Sequence, residues 1–123
     1  MIGYVTLGVS NMDRAKAYYG ALLEEIGAKP LMDMERIAFF GKDMSQPMLA
    51  VCIPYDQAGN HPGNGNMVAL NPGSKEACDK LYEKAIELGG TCDGEPGQRI
   101  PDMFYGAYVR DPDGNKLCFF HFG

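Results

Sequence analysis

A chain of 123 residues that is 46% hydrophobic and 22% charged has the size and composition of one globular domain, which excludes a disordered or fibrous protein. Its net charge of −5 argues against nucleic acid or an anionic membrane surface as a partner, because both require basic patches. No apolar run approaches the ~20 residues of a membrane helix and no signal region opens the chain, so we expect a cytoplasmic protein outside the membrane.

The first half of the chain predicts a strand, a helix and three further strands. Residues 4–9 alternate between apolar and polar side chains, as a half-buried strand does. Asn11 is the expected N-cap of the helix, and Gly27 is its stop signal. The apolar stripe expected on this helix consists of Ala15, Tyr18, Tyr19, Leu22, Leu23 and Ile26. The three further strands are predicted at residues 30–34, 36–41 and 47–53.

The second half follows the same order after a connector at residues 54–66, which is rich in Pro, Gly and Asn. A strand is predicted at residues 66–71, and Ser74 is the expected cap of a second helix. The apolar stripe of that helix consists of Cys78, Leu81, Tyr82, Ala85 and Ile86. Strands are predicted at residues 91–92, 106–110 and 116–122. A hairpin turn is predicted at residues 111–115, between the last two strands, and it explains the charged stretch 110–114 without a catalytic role.

The two halves repeat one pattern at an interval of sixty-three residues. Residues 4–7 correspond to 67–70, and the correspondence continues through both helices to Gly27 and Gly90. Two copies are too few for a solenoid. The predicted fold is therefore α+β, a single domain over residues 1–123 in which two βαβββ modules, at about 1–58 and 64–123, form a cupped mixed sheet with helices on its outer face. A ligand is expected where the halves meet.

The four cysteines are spread evenly, and no two of them form a CxxC pair. They are Cys52, Cys78, Cys92 and Cys118. Their spacing does not match a zinc knuckle or a thioredoxin-type site. In a chain large enough to build its own core, we expect four free thiols.

Several segments carry a resemblance to a known family. They are Tyr4–Asn11 leading into a helix with Tyr18-Tyr19, the closing segment 109–117, and the glycine-containing segments 63–65 and 89–91. With these motifs the whole chain resembles the vicinal oxygen chelate superfamily, which includes glyoxalase I, bleomycin resistance proteins and extradiol dioxygenases. The resemblance implies a divalent metal held inside the cup by His or Gln, His and Glu, with open positions for a substrate that bears adjacent oxygens.

The ligand positions that the resemblance implies fall on Tyr4, Met67 and Cys118, with a further position near Ala50 or Cys52. None of these residues is His, Gln or Glu, and a phenol, a thioether and a thiol offer no hard anionic donor at neutral pH. One reading is a soft-metal site of the kind that suits Cu(I); the other is that these side chains fill the space of a lost metal. We favour the second, because soft sites recruit further thiolates or an imidazole. The prediction is no bound metal and no other cofactor.

A largely apolar pocket is predicted at the vacated metal position. By strand parity its lining residues are Tyr4, Thr6, Met48, Ala50, Cys52, Met67, Ala69, Cys118 and Phe120. Arg99 lies in a predicted loop, residues 97–102, that resembles the loop at the family's pocket mouth, where a guanidinium would hold a carboxylate or phosphate. The alternative for Arg99 is a solvated surface position. The candidate substrate-binding residues are Arg99, Tyr105 and Tyr108.

Three other reactive side chains are poor candidates for chemistry. His61 lies in the connector, where a solvated histidine is the default. His121 has the parity of Leu117 and points away from the predicted pocket. Parity places no base near Cys118, so we interpret it as a buried structural thiol rather than a nucleophile. No catalytic residue is assigned.

Two functions therefore compete. The first is a metal-independent protein that binds a small molecule, or an enzyme of unknown reaction that uses the same pocket. The second is a metal-dependent lyase, similar to lactoylglutathione lyase, or a dioxygenase, with ligands outside the family's usual set. The family resemblance also makes a homodimer an expected assembly. The expected partner in either case is a small-molecule ligand.

Overall fold

The computed structural model describes residues 1–123, and the chain folds as two compact units, Met1–Pro62 and Gly63–Gly123. The first unit has one helix and a four-stranded mixed sheet in the order β1-β4-β3-β2. Its elements are β1 (Tyr4–Gly8), α1 (Met12–Glu24), β2 (Lys29–Asp33), β3 (Ile37–Gly41) and β4 (Met48–Cys52). Strand β1 is parallel to β4, and the other pairs are antiparallel.

The second unit has the same composition, with a four-stranded mixed sheet in the order β5-β8-β7-β6. Its elements are β5 (Val68–Leu70), α2 (Lys75–Glu87), β6 (Thr91–Ile100), β7 (Phe104–Arg110) and β8 (Lys116–Phe122). Strand β5 is parallel to β8, and the hairpins β6–β7 and β7–β8 are antiparallel. The α+β class and the two βαβββ modules predicted from the sequence are confirmed.

The two helices show how closely the modules repeat. Helix α2 begins and ends sixty-three positions after α1, and the N-cap side chains correspond as well. The Asn11 side chain accepts a hydrogen bond from the Arg14 N–H at 3.0 Å, and the Ser74 hydroxyl accepts one from the Ala77 N–H at 3.1 Å. Each cap satisfies a backbone donor that the first helical turn leaves unpaired. Neither helix has the length and apolar content needed to cross a membrane.

Each helix covers one face of the sheet in its own unit. The predicted stripe of α1 is buried from Ala15 to Leu23 and packs against β2, β3 and β4. In β4, Leu49 and Val51 are buried on the face toward α1, and the alternate residues Met48, Ala50 and Cys52 lie on the other face. The face away from the helix is therefore free to build a site.

Strand β6 extends well beyond the two residues predicted for it. It continues from Thr91 to Ile100, so the predicted loop at residues 97–102 is instead the strand end and a tight turn. The sequence does not predict this long strand, because Gly94, Pro96 and Gly97 interrupt the alternation of apolar and polar side chains. The register with β7 also shifts in this region. An edge strand tolerates such residues, since Pro lacks only a ladder donor there. A Cβ on Gly94 would lie 2.8 Å from the Tyr108 ring, which explains the glycine.

The hairpin turn predicted at residues 111–115 is confirmed, and one buried carboxylate organises it. Asp111 Oδ1 accepts hydrogen bonds from the backbone N–H groups of Asp113 and Asn115, each at 2.9 Å. Its Oδ2 accepts from the Asn115 side-chain amide at 2.9 Å. Asp111 and Asn115 are both buried, so water has little access to replace the hydrogen bonds of this turn if one partner is removed.

We expect Asp111→Ala to lower the free energy of unfolding by about 2–3 kcal/mol, because it leaves buried backbone donors without an acceptor. Chemical denaturation followed by circular dichroism measures the loss. Asp43→Ala is the matched control, since Asp43 also accepts from a residue two positions on, Ser45, but in an exposed turn where water can replace it. Equal losses in the two variants would contradict the role assigned to burial.

Candidate functional site

A cavity of about 410 Å³ lies in the first unit. Three residues predicted to line a pocket, Tyr4, Thr6 and Cys52, are part of its wall. The complete wall consists of Tyr4, Thr6, Gly8, Arg36, Ile37, Cys52, Pro54 and Tyr55. Parallel pairing of β1 with β4 aligns Gly8 with Cys52, and antiparallel pairing of β3 with β4 aligns Ile37 with the same residue. The cavity is therefore built on the sheet face that α1 leaves uncovered.

The aromatic side chain of Tyr4, one of the wall residues, packs against a buried ring of the same sheet. Its ring meets the Phe39 ring edge-on, with centroids 5.0 Å apart and an angle of 76°. Phe39 is aligned with Ala50 across the sheet, and Ala50 is completely buried. Ala50 has the predicted parity but is fully buried and is not among the residues of the cavity wall. Tyr4 itself keeps 53% of its surface exposed.

Five wall residues were not predicted, namely Gly8, Arg36, Ile37, Pro54 and Tyr55, and two of these, Arg36 and Tyr55, lie against each other. The Arg36 guanidinium donates a hydrogen bond from Nη1 to the Ile53 carbonyl at 2.9 Å, and the Ile53 N–H donates to the Arg36 carbonyl at 3.0 Å. The guanidinium carbon lies 5.4 Å from the centre of the Tyr55 ring. The sequence holds one signal for Arg36: an antiparallel pairing of the predicted strands 36–41 and 47–53 brings their outer ends, Arg36 and Ile53, together. Nothing comparable indicates Tyr55 within the connector.

In the second unit, Tyr105 lies on the helix side of the sheet. Its hydroxyl donates a 2.5 Å hydrogen bond to Asp79 Oδ1 on α2, and the Lys75 Nζ lies 5.7 Å from its ring centre. The hydrogen bond to Asp79, with burial and nearby negative charge, raises the pKa of Tyr105 to about 12. His121 is aligned with Tyr105 in the adjacent strand and shares this face, as its parity predicts.

Tyr108 lies on the opposite face, where the structure brings it together with Arg99 and Cys118. Tyr108 is aligned with Cys118 across the β7–β8 hairpin. The Arg99 guanidinium carbon lies 5.4 Å from the Tyr108 ring centre, and the Lys116 Nζ lies 5.3 Å from it. Arg99 also donates to the Glu95 carbonyl. Of the three candidate substrate-binding residues, Arg99 and Tyr108 therefore share one face with the Cys118 thiol, and Tyr105 faces the helix.

The thiol in this cluster is not activated. Cys118 is completely buried, and burial raises its pKa, against the opposing effects of the Tyr108 hydrogen bond and the positive charges of Lys116 and Arg99. Burial likewise raises the pKa of Tyr108. Both groups are therefore protonated and neutral at physiological pH, which favours a structural role for Cys118.

The remaining predicted wall residues have different surroundings. Phe120 stacks on Phe104 with centroids 5.7 Å apart and meets Phe122 edge-on at 4.9 Å. Met67 immediately precedes β5 and is about half exposed. His61, which was predicted to be a solvated residue outside the pocket, is exposed in the connector. The prediction of a single pocket containing all these residues stays a prediction, since the observed cavity is lined only by residues of the first unit.

The donor set does not suit the divalent metal that the family resemblance implies. No group of three or more His, Cys, Asp or Glu side chains lies close enough together to hold an ion. The positions that the resemblance maps onto the family's ligands carry the phenol of Tyr4, the thioether of Met67 and the thiol of Cys118, whose pKa is raised by burial. Zinc and its neighbours in the transition series prefer imidazole, thiolate and carboxylate donors, none of which is supplied by these three neutral side chains.

Comparison with known proteins places residues 1–119 under the family model described as the glyoxalase/bleomycin resistance protein/dioxygenase superfamily. A glyoxalase/bleomycin resistance protein from Albidiferax ferrireducens T118 is 32% identical over 99% of this chain and 98% of its own, with a TM-score of 0.89. A glyoxalase-related enzyme from Fulvimarina pelagi (20%, TM-score 0.76, 98% and 86% covered) and a lactoylglutathione lyase from Agrobacterium tumefaciens (19%, 0.69, 98% and 92%) are similar in fold. No curated protein matches the chain.

We expect N-ethylmaleimide at near-neutral pH to modify Cys92 first and to leave Cys78 and Cys118 unmodified in the native protein. Cys92 is exposed, whereas burial raises the pKa of the Cys78 thiol to about 11 and also raises that of Cys118. Mass spectrometry of a digest identifies the modified sites, and all four cysteines should react in denaturant. Rapid native modification of Cys118 would contradict its assignment as a structural thiol.

Proposed function

Because the chain belongs to the glyoxalase/bleomycin resistance protein/dioxygenase superfamily, we propose that it binds a small organic molecule in the cavity of its first unit without a metal ion. One observation carries this proposal: the cavity of about 410 Å³ has a wall of aromatic, aliphatic and uncharged polar side chains with a single cation. Its volume lies within the range of ligand pockets, on the order of 300–1,000 Å³.

The chemistry of the wall supports binding more than catalysis. The Thr6 hydroxyl and the Cys52 thiol provide weak polar contacts, and Tyr4, Ile37 and Pro54 provide contact area. No imidazole or carboxylate is part of the wall, so no ordinary general base is at hand. The proposal therefore assigns recognition to this cavity and no bond-making step.

The proposed metal independence is supported by the donor chemistry at the positions that the resemblance maps onto the family's metal ligands. A metal-dependent lyase or dioxygenase would have to bind its metal ion through a phenol, a thioether and a neutral thiol. These groups are poor ligands for hard or borderline cations. The family alone favours metal chemistry; the residues at these positions in this chain favour the metal-free function.

We expect protein purified without an affinity tag to contain no stoichiometric transition metal, as measured by inductively coupled plasma mass spectrometry. Addition of Zn²⁺, Ni²⁺, Mn²⁺ or Fe²⁺ should leave the melting temperature unchanged, because no donor set gives the folded state an advantage in binding them. EDTA should likewise have no effect on ligand binding. One metal per chain, together with binding or turnover that is lost on chelation, would establish the metal-dependent alternative instead.

We expect Thr6→Tyr to abolish small-molecule binding in the cavity while the protein stays folded. Thr6 is exposed on β1, where an aromatic residue suits a strand, and the larger side chain would occupy cavity volume. A thermal-shift screen of small aromatic and aliphatic compounds measures binding in the parent and the variant. Thr91→Tyr, the same change at an exposed strand position in the second unit, is the control and should retain every hit. Hits that survive Thr6→Tyr would show that the cavity is not the binding site.

A further inference from the structure

The cavity wall contains one formal charge, and it forms no ion pair within the protein. Arg36 is the only charged residue among the eight that line the cavity. No carboxylate forms an ion pair with its guanidinium. An unpaired cation is notable in a chain whose net charge is −5, since acidic side chains are abundant as partners. The electrostatic preference of the cavity is therefore for an anion.

The Arg36 guanidinium is held in place rather than free in solvent. The reciprocal hydrogen bonds with Ile53, at 2.9 and 3.0 Å, fix both the backbone and the side chain of Arg36 against the end of β4. Only Nη1 is used in this way, which leaves the other N–H groups available. A guanidinium that is already ordered loses less side-chain entropy when it binds a ligand.

An aromatic ring lies beside the guanidinium at the cavity. Tyr55 leaves 86% of its surface exposed, although its ring contacts Arg36. It is held in a turn in which the Gln57 N–H donates to the Pro54 carbonyl at 2.9 Å and the Ala58 N–H donates to Asp56 Oδ1 at 3.0 Å. Tyr4 adds a second ring that is half exposed and is positioned by Phe39. Tyrosine and arginine are enriched among the side chains that contribute most of the binding energy at protein interfaces.

We propose that this cavity recognises a planar organic carboxylate, with the carboxylate on the Arg36 guanidinium and the conjugated part against the Tyr4 and Tyr55 rings. A guanidinium and a carboxylate can form a bidentate pair with two parallel hydrogen bonds, and planar groups stack on aromatic faces. A single guanidinium balances a monoanion; a phosphate dianion ordinarily requires a second cation or a helix N-terminus, and the wall contains neither. This inference rests on the proposed function, because it assigns a ligand class to the same cavity.

The first test compares two probes on the parent protein by isothermal titration calorimetry. Cinnamate and its neutral analogue cinnamamide differ only in the group that would meet Arg36. We expect cinnamate to bind about 10- to 100-fold more tightly, the range typical of a charge-assisted pair, and its affinity to fall as salt is added. Equal affinities for the two probes would overturn the assignment of a carboxylate, and no variant is needed to see this.

The second test removes the guanidinium. Arg36→Met should reduce cinnamate affinity to the level of cinnamamide and leave cinnamamide binding unchanged. Arg36→Lys keeps the positive charge but not the planar guanidinium, so it should retain part of the cinnamate affinity that Arg36→Met loses. Arg14→Met is the matched control, since it removes a positive charge from the same unit at an exposed helix position outside the cavity wall. Arg99→Met decides between the two arginines that contact a tyrosine ring at 5.4 Å. A cinnamate loss that follows Arg99 rather than Arg36 would contradict the proposal.

The same probes separate failure of this inference from failure of the proposed function. If both probes bind equally and both are lost in Thr6→Tyr, the cavity binds small molecules and only the carboxylate preference is wrong. If cinnamate binds but Thr6→Tyr leaves its affinity unchanged, both proposals fail, because the carboxylate is held elsewhere. If phenyl phosphate binds more tightly than cinnamate through Arg36, the cavity is anion-selective but the ligand class assigned here is wrong.

Discussion

A single helix of thirteen residues covers one face of each four-stranded sheet. Whether a strand residue belongs to the core or to the candidate site therefore depends on the face that its side chain occupies. Alternation along a strand sends neighbouring side chains to opposite faces. In β4, Val51 enters the core beneath α1, while the next residue, Cys52, reaches the cavity. A shift of one residue in strand pairing would exchange these two faces, so the apolar core fixes the register and, through it, the cavity wall.

The same alternation separates residues that are close in sequence within the second unit. Tyr105 and Tyr108 are three positions apart in β7, which places them on opposite faces. Tyr105 is bonded to Asp79 and helps to attach α2 to the sheet. Tyr108 has two cationic side chains near its ring, Arg99 and Lys116, and lies beside a buried thiol. Two tyrosines with similar sequence surroundings thus have different partners, because only one of them faces the helix.

Charge in the first unit's cavity comes from a guanidinium at the end of a hairpin. In metal-bearing proteins an ion is commonly the largest local charge and sets the preferences of its site. In this chain, the positions that the resemblance maps onto the family's metal ligands carry neutral side chains. These side chains are poor ligands for a divalent ion. Arg36 provides a weaker, directional cation whose orientation comes from the Ile53 backbone. An environment of this kind favours recognition of a polar group on a ligand over activation of a bound oxygen.

The sequence by itself determined the features that depend on local physics. Helix caps, apolar stripes and the sixty-three-residue interval follow from side chains within a few positions of one another, and the α+β modules follow from them. Parity alone identified Tyr4, Thr6 and Cys52 as residues of the face that carries the cavity. These predictions succeed because strand and helix periods are set by the backbone.

Only the tertiary structure decided what that face presents to a ligand. Parity gives the side of a sheet but not the depth of burial, and Ala50 shares the parity of the cavity residues yet is fully buried. Strand β6 continues through Gly94 and Pro96 because pairing with β7 overrides weak local propensity. Arg36 and Tyr55 meet because a hairpin register and a connector turn bring them together. Such contacts join residues far apart in the chain, and their geometry depends on the packing of the whole unit.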